Sequence, residues 1–251
     1  MKRLGVRKLY FILKPQLDQH QITIGRDGLF DLLSRHQMLI RKKKRRVITT
    51  QSYHGYHKYK NLIKDFTPLN PNELWVSDIT YVEFKDVFYY LFLITDAYSR
   101  KIVGHVLARS LHAIHAVNAL KIALKQREFR PGDLIHHSDQ GFQYCCKAYI
   151  DLLRVNKVKI SMTQNGDPLE NAIAERVNGI LKQEWINGFR GNSFEELEAF
   201  VEESIEVYNS ERPHASIDML TPEQAHQLSG PIKRRWKTYY KNKNKTPESV
   251  I

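Results

Sequence analysis

The chain has 251 residues, 42% of them apolar, which suits one sizeable domain with appendages or two domains around an ordinary core. Lys and Arg number 39 against 27 Asp and Glu, a formal net charge of +12. This excess favours a polyanionic partner, nucleic acid first, because each phosphate that a cation neutralises releases a counterion. On charge alone, a basic protein that is merely soluble and one that touches acidic lipid stay open.

Membrane and disulfide chemistry find little support in the sequence. The longest apolar run, Val87 to Ile94, is far shorter than the roughly 20 residues that a spanning helix needs. Cys145 and Cys146 are adjacent, which excludes a disulfide framework and a Cys-x-x-Cys metal knuckle. We therefore expect no membrane partner and a reducing, cytoplasmic setting.

The N-terminal part, residues 1 to 47, is predicted to be a small helical segment with two apolar stripes. Helices of this size fit a helix-turn-helix DNA reader, and a generic helical hairpin fits equally well. A run of six cations follows, which we interpret as a DNA-binding, phosphate-gripping arm, with a solvated connector as the alternative. Its members are Arg41, Lys42, Lys43, Lys44, Arg45 and Arg46.

Residues 48–70 are predicted to form a basic, proline-containing linker, and residues 229–251 a basic tail. Between them, residues 71–228 have the apolar patterns of strands and helices. Three strand-like stretches, at 75–84, 87–95 and 101–109, predict an antiparallel meander. Helices and short strands then alternate, which predicts an α/β domain with a mixed sheet flanked by helices.

Three carboxylates are candidates for chemistry. Asp78 lies within the first strand, where an ionised carboxylate is costly without a partner or a metal; a satisfied edge-strand Asp is the alternative. Asp139 ends a later strand, the end at which α/β sheets bind ligands; a turn or cap Asp is the alternative. Glu175 lies on a predicted helix from about residue 169 to 185, where the alternative is a solvated face.

The predicted helix that carries Glu175 has a polar stripe. Asn171, Glu175, Asn178 and Lys182 follow one another at spacings of four, three and four, so they share one face. Asn is a poor filler for a solvated helix, which favours a functional stripe. We therefore regard Asn171 and Asn178 as candidate DNA contacts.

Phosphodiester transfer explains a need for several carboxylates. Two metal ions, roughly 3.5–4 Å apart, hold the attacking and leaving oxygens. Mg²⁺ prefers hard oxygen ligands and keeps several waters, so a few carboxylates and the substrate phosphates suffice. His54 and His57 have no Cys pair nearby, which makes a zinc site improbable.

Several separate motifs, in the same order, resemble the OrfB part of insertion-sequence transposases of the insertion-sequence-three family, and the wider DDE transposases and retroviral integrases. The spacing agrees, with 60 residues between the two aspartates and 35 between Asp139 and Glu175. The sequence motifs on which the resemblance rests are Trp75 to Tyr81, Asp96 to Arg100, His137 to Tyr144, Glu170 to Glu175, Tyr208 to His214 and Thr221 to Glu223.

The resemblance implies a ribonuclease-H-like catalytic core behind a helical DNA-binding segment. It implies that Asp78, Asp139 and Glu175 are catalytic and bind two Mg²⁺ ions, with Mn²⁺ as a substitute. It further implies that Lys182 contacts DNA near the active site and that Asp96 is structural, tying a strand turn with Arg100.

The implied activity is magnesium-dependent cleavage and strand transfer of insertion-sequence ends in a bacterial cytoplasm, at the nucleoid. The implied partners are double-stranded DNA (terminal inverted repeats and target), further copies of the chain, and the product of an upstream reading frame. A catalytically silent DNA-binding regulator, derived from a transposase fragment, is the alternative from another class, and a ribonuclease-H-like nuclease or retroelement integrase is the nearest enzymatic one.

Overall fold

The computed structural model describes residues 4–39, 55–127, 134–164 and 168–233. The predicted cationic arm, residues 41–46, and all but the first five residues of the predicted basic tail lie outside these ranges.

The described residues form five strands and eight α-helices, joined by three short 3₁₀ turns. The strands are β1 Leu74–Phe84, β2 Val87–Asp96, β3 Ile102–Ala108, β4 Ile135–Ser138 and β5 Lys159–Met162. The helices are α1 Val6–Gln19, α2 Arg26–Arg35, α3 Ala113–Gln126, α4 Phe142–Cys145, α5 Lys147–Val155, α6 Ala172–Glu184, α7 Phe194–Ser210 and α8 Pro222–His226.

The strands form one mixed sheet in the order β3-β2-β1-β4-β5. β1, β2 and β3 are antiparallel neighbours, which confirms the predicted meander, while β4 runs parallel to β1 and β5 parallel to β4. β1 therefore lies in the centre and is paired on both edges. The predicted mixed sheet flanked by helices is confirmed.

Alternation along β2 divides the core between the two faces of the sheet, because successive strand side chains point to opposite sides. Phe92 and Ile94 pack with α3 and α5 on one face. Leu91 and Leu93 pack with α6 and α7 on the other. The second half of the apolar run, Leu91 to Ile94, is therefore buried on both faces, whereas Val87 and Phe88 at its start are exposed.

Two predicted helices differ in detail from the structure. The helix predicted from Tyr144 to Leu153 is divided into α4 and α5, because Cys146 has extended backbone angles. The helix predicted from about Leu169 begins instead as a 3₁₀ turn, and its α-helical part starts at Ala172. The segment predicted as helical at the N-terminus contains α1 and α2, which bury only Leu29 fully.

The end of α6 is fixed by a buried ion pair. Arg212 is fully buried after α7, and its Nε and Nη2 donate to the two carboxylate oxygens of Glu184 at 2.7 and 2.6 Å. A two-pronged contact of this kind fixes orientation as well as distance. The pair therefore sets the position of the helix that carries Glu175.

Gly104 allows the close contact between β3 and α3. A Cβ at this position would lie 2.3 Å from the backbone oxygen of Ala119 and 2.9 Å from the Cβ of Ala123. We predict that Gly104→Ala lowers the free energy of unfolding by roughly 1–3 kcal/mol or more, because the overpacked helix and strand must separate.

Gly179 provides the matched control for Gly104. It lies inside α6, and nothing lies within 4 Å of a Cβ added there. We expect Gly179→Ala to raise the free energy of unfolding by up to about 1 kcal/mol through helix propensity. Urea unfolding of both variants compares them; equal stabilities would contradict the predicted close packing.

Candidate active site

Asp78 lies on the central strand, and its carboxylate is held at both oxygens. Its Oδ1 accepts a hydrogen bond from the backbone N–H of Ile79 at 2.9 Å, and its Oδ2 accepts one from Nδ2 of Asn178 at 2.7 Å. The alternative of an edge-strand Asp is wrong, because β1 is paired on both sides.

Asp139 comes directly after β4, and the parallel register places it beside Asp78. Val76 pairs with His137, so the residues two positions further along each strand are the two aspartates. Oδ1 of Asp139 accepts the backbone N–H of Gly141 at 2.9 Å, so the residue also forms the turn. A Cβ on Gly141 would lie 2.9 Å from that oxygen, so a larger residue there would require the Asp139 carboxylate to shift.

Glu175 lies in the first turn of α6 and is exposed. The pKa of Asp78 is raised to about 7, by burial first, then by the charge of Asp139 and, less strongly, by that of Glu175. The structure therefore brings Asp139 and Glu175 within electrostatic reach of Asp78. Two like charges that are partly buried and have no cation beside them stabilise a proton on one of them.

The donor set fits a hard divalent cation, because carboxylate oxygens are the ligands that Mg²⁺ prefers. Within the ranges that the structure describes, no three His, Cys, Asp or Glu side chains are close enough to enclose a metal ion. Carboxylates repel one another until a cation neutralises them, so Asp78, Asp139 and Glu175 would have to move together upon metal binding.

The two asparagines in the polar stripe of α6 point at β1, whereas Glu175 in the same stripe is exposed, and this corrects the prediction of the asparagines as DNA contacts. Asn171 and Asn178 are both buried. Asn171 donates to the backbone oxygen of Ser77 at 2.9 Å, and Asn178 donates to Asp78. Because their amides bind the core, these two side chains position β1 and its carboxylate.

Lys182 differs from the two asparagines. Its side chain is half-buried, and its Nζ lies 3.4 Å from Oγ1 of Thr80 on β1. Burial lowers its pKa, and the charge of Asp78 acts in the opposite direction. Lys182 thus lies within electrostatic reach of the candidate site, as a DNA-contacting residue there would.

A buried network behind Asp78 was not predicted from the sequence. Nε2 of His136 lies 2.7 Å from Oγ of Ser77 and 2.9 Å from the hydroxyl of Tyr149. Burial lowers the pKa of His136 to about 3, so the ring is neutral. Polar residues at inward positions of strands β1 and β4 were the available signal for this network.

Asp96 is structural, as predicted, but its partners differ. Its carboxylate accepts hydrogen bonds from the backbone of Asn72 and from the backbone and hydroxyl of Ser99. Arg100 is joined to Asp96 through the backbone. Asp96 thus fixes the turn between β2 and β3 and the entry to β1.

Two models of the integrase core domain match the chain, at residues 68–168 and 156–222. The chain is 33% identical to a 31 kDa protein of insertion element IS600 from Shigella sonnei over 223 residues, 86% of this chain and 82% of the relative. It is 37% identical to a transposase-like protein of Haemophilus influenzae over 180 residues, 69% of this chain and 82% of the relative.

A further relative is transposase InsF of insertion sequence IS3A from Escherichia coli. The two are 35% identical over 189 residues, which are 74% of this chain and 65% of InsF. The chain therefore spans a little under two thirds of that relative's length.

Solved structures show the same fold. The HTLV-2 integrase catalytic core domain, in complex with magnesium, matches with a TM-score of 0.51 and 18% identity, over 64% of this chain and 100% of that one. A simian T-cell lymphotropic virus intasome, in complex with the PP2A regulatory subunit B56 gamma, matches with a TM-score of 0.55 and 16% identity, over 94% and 80%. The predicted ribonuclease-H-like core is confirmed.

The raised pKa of Asp78 has a consequence for stability. The folded carboxyl holds its proton up to pH about 7, whereas an unfolded one loses it near 3.8. Between these values the folded state binds more protons, so stability falls as pH rises through the window. We predict that the metal-free protein loses a few kcal/mol (about 2–4) from pH 4 to 8 through this group.

Asp78→Asn should remove that part of the pH dependence, because an amide has no proton to lose. Urea unfolding in the presence of a chelator, from pH 5 to 9, compares the variant with the parent chain. Parallel stability profiles of the two proteins would show that Asp78 titrates normally. Added Mg²⁺ should restore the parent's stability at pH 8, because a cation favours the ionised form.

Proposed function

We propose a function on the basis of the family to which the chain belongs. This family is the IS3-type insertion-sequence transposases, which carry an integrase core domain. It is a DDE polynucleotidyl transferase that cuts the ends of its insertion sequence and joins them to target DNA. The observation that supports this best is the parallel register of β1 and β4, which places Asp139 beside Asp78, with Glu175 within electrostatic reach of Asp78.

Asp78, Asp139 and Glu175 would hold two Mg²⁺ ions, or Mn²⁺ in their place. When bound, the metals supply charge stabilisation for the attacking and leaving oxygens of a phosphodiester. HTLV-2 integrase, which shares the fold, was solved with magnesium. Mg²⁺ would also offset the repulsion that keeps a proton on Asp78.

Three further side chains of α6 and the turn before it would orient the carboxylates and the substrate. Asn178 holds one oxygen of Asp78, which leaves the other lone pairs of that carboxylate for a metal. Lys182, within electrostatic reach of Asp78, would contact a DNA phosphate next to the scissile bond. Asn171 would keep β1 and the start of α6 in register through Ser77.

The proposed division of labour follows the chain. Residues 1–47 would form the helical DNA-binding segment, 48–70 the linker, 71–228 the catalytic core and 229–251 a basic tail. The cations at 41–46 would add sequence-independent phosphate contacts. The net charge of +12 suits this task.

The partners proposed for the chain are the terminal inverted repeats, the target DNA and further copies of itself, since two ends must be joined together. The upstream reading-frame product is a further proposed partner. The proposed location is the bacterial nucleoid in the cytoplasm. No helix among the described residues has both the length and the apolar character to cross a membrane.

Glu175→Gln tests the catalytic proposal. We expect more than a hundredfold loss of magnesium-dependent nicking and strand transfer, on DNA with the element's terminal repeats, because an anionic oxygen ligand is removed. DNA binding should stay within about twofold, because the amide keeps the shape of the side chain. Glu198→Gln, an exposed change on α7, is the control.

Near-normal strand transfer by Glu175→Gln would refute the role of this residue. If the parent chain binds the terminal repeats but never nicks them, with or without the upstream product, the silent regulator replaces the transposase.

Asn178→Ala tests the positioning of Asp78. We predict about a 10- to 100-fold higher Mg²⁺ requirement for nicking, because the metal-ligating carboxylate loses the donor that orients it. The affinity for DNA should not change, since the buried amide binds Asp78 instead. A lower affinity for DNA with an unchanged Mg²⁺ requirement would restore Asn178 as a DNA contact.

A further inference from the structure

A second site lies on the other face of α6, in a cavity of about 420 Å³. We call it the basic cavity, because cations from α1, from the turn after β2, from α6 and from the segment after α7 meet there. It is lined by Lys8, Arg100, Ile173, Arg176, Val177, Ile180, Arg212, His214, Ala215 and Ser216.

The basic cavity is separate from the candidate active site. At 100° per residue, Ile173, Val177 and Ile180 lie on roughly the opposite side of α6 from Glu175, Asn178 and Lys182. The carboxylates of the proposed transferase therefore do not reach into it. Whatever binds there is a different group from the scissile phosphodiester.

The lining of the basic cavity is unbalanced in charge. Four of its side chains are cationic, and none of the described residues that line it carries a carboxylate. The nearby carboxylate is Glu184, which is bound by Arg212 at 2.6 Å and lies 3.8 Å from Lys8. Arg212 binds both oxygens of Glu184, so this carboxylate offsets the charge of Lys8 only in part.

The titration of two lining residues reflects this imbalance. Burial, and then the charge of Arg212, lowers the pKa of Lys8 to about 8, and the charge of Glu184 only partly opposes this. Burial and the surrounding cations hold the pKa of His214 well below its ordinary value, so the ring is neutral. An added anion would relieve the repulsion that both residues experience.

We propose that the basic cavity binds a phosphate group of the DNA backbone. Arginine guanidinium groups match phosphate oxygens in geometry, and a half-buried lysine adds a point charge. The assignment of DNA as the source rests on the proposed function, whereas the preference for a phosphate follows from the cavity's charges.

A phosphate bound there would also attach the N-terminal segment to the catalytic core. α1 buries no residue fully, and its charged contact with α6 is the long pair between Lys8 and Glu184. A phosphate between Lys8 and Arg176 would bridge the two helices. DNA bound along this face would thus be part of what holds α1 in place.

The salt dependence of DNA binding tests the proposal. The full chain, with a chelator present so that no cleavage occurs, is titrated with end DNA at several salt concentrations. A Lys8→Gln, Arg176→Gln double variant should bind about tenfold more weakly at low salt, and its log–log salt slope should be smaller by about one.

The control has the same change of charge on another part of the surface. Lys121 and Lys125 are exposed on α3, so a Lys121→Gln, Lys125→Gln double variant removes two cations away from the cavity. Equal binding and equal slopes in the two double variants would overturn the proposal. Because no catalysis is measured, failure of the transferase function would not affect this outcome.

Amine acetylation, read by mass spectrometry, distinguishes the source of the phosphate. End DNA should slow the acetylation of Lys8 but not that of Lys121, and the protection should be lost in Arg176→Gln. Inorganic phosphate at high concentration should also slow the acetylation of Lys8, because it would occupy the same cavity as the DNA phosphate. Protection by inorganic phosphate without any by DNA would overturn the DNA assignment, and protection by neither would overturn the site.

Discussion

The parallel pairing of β1 with β4 is the constraint on which the active site depends. Sixty residues lie between Asp78 and Asp139 in the chain, and only this register places the two side by side. The pairing also costs electrostatic free energy, because it brings two like charges together in a partly desolvated place at the carboxyl end of β4. A bound cation would neutralise this repulsion. When no metal is bound, a proton on Asp78 reduces it instead.

α6 connects the two charged regions of the molecule. One face presents Glu175 and Lys182 to the carboxylates of the sheet, and the opposite face contributes Arg176 to the basic cavity. Its C-terminal end is fixed by the pair between Glu184 and the fully buried Arg212. Breaking such a pair leaves one buried charge uncompensated, which costs about 3–5 kcal/mol.

Polar groups inside the core define the geometry of the site. The amide of Asn178 and the neutral ring of His136 are buried, and both bind β1 at or next to Asp78. Apolar packing alone would tolerate small shifts of the strand, whereas hydrogen bonds of 2.7 Å do not. This explains why a helix with a poor helix former in its middle is compatible with a precise site: Asn178 contributes through its partner rather than through helix propensity.

The sequence by itself predicted the strands and most helices, because apolar periodicity is a local property, and it proposed the three carboxylates through motifs that resemble a known family. Boundaries failed where backbone angles changed within an apolar run, as at Cys146. Only the tertiary structure decided the roles of the buried polar residues. A stripe that contains Asn171 and Asn178 has the same sequence pattern whether it faces DNA or a strand. The basic cavity was equally inaccessible to sequence reasoning, since Lys8, Arg176 and Arg212 come from distant segments that only the folded chain brings together.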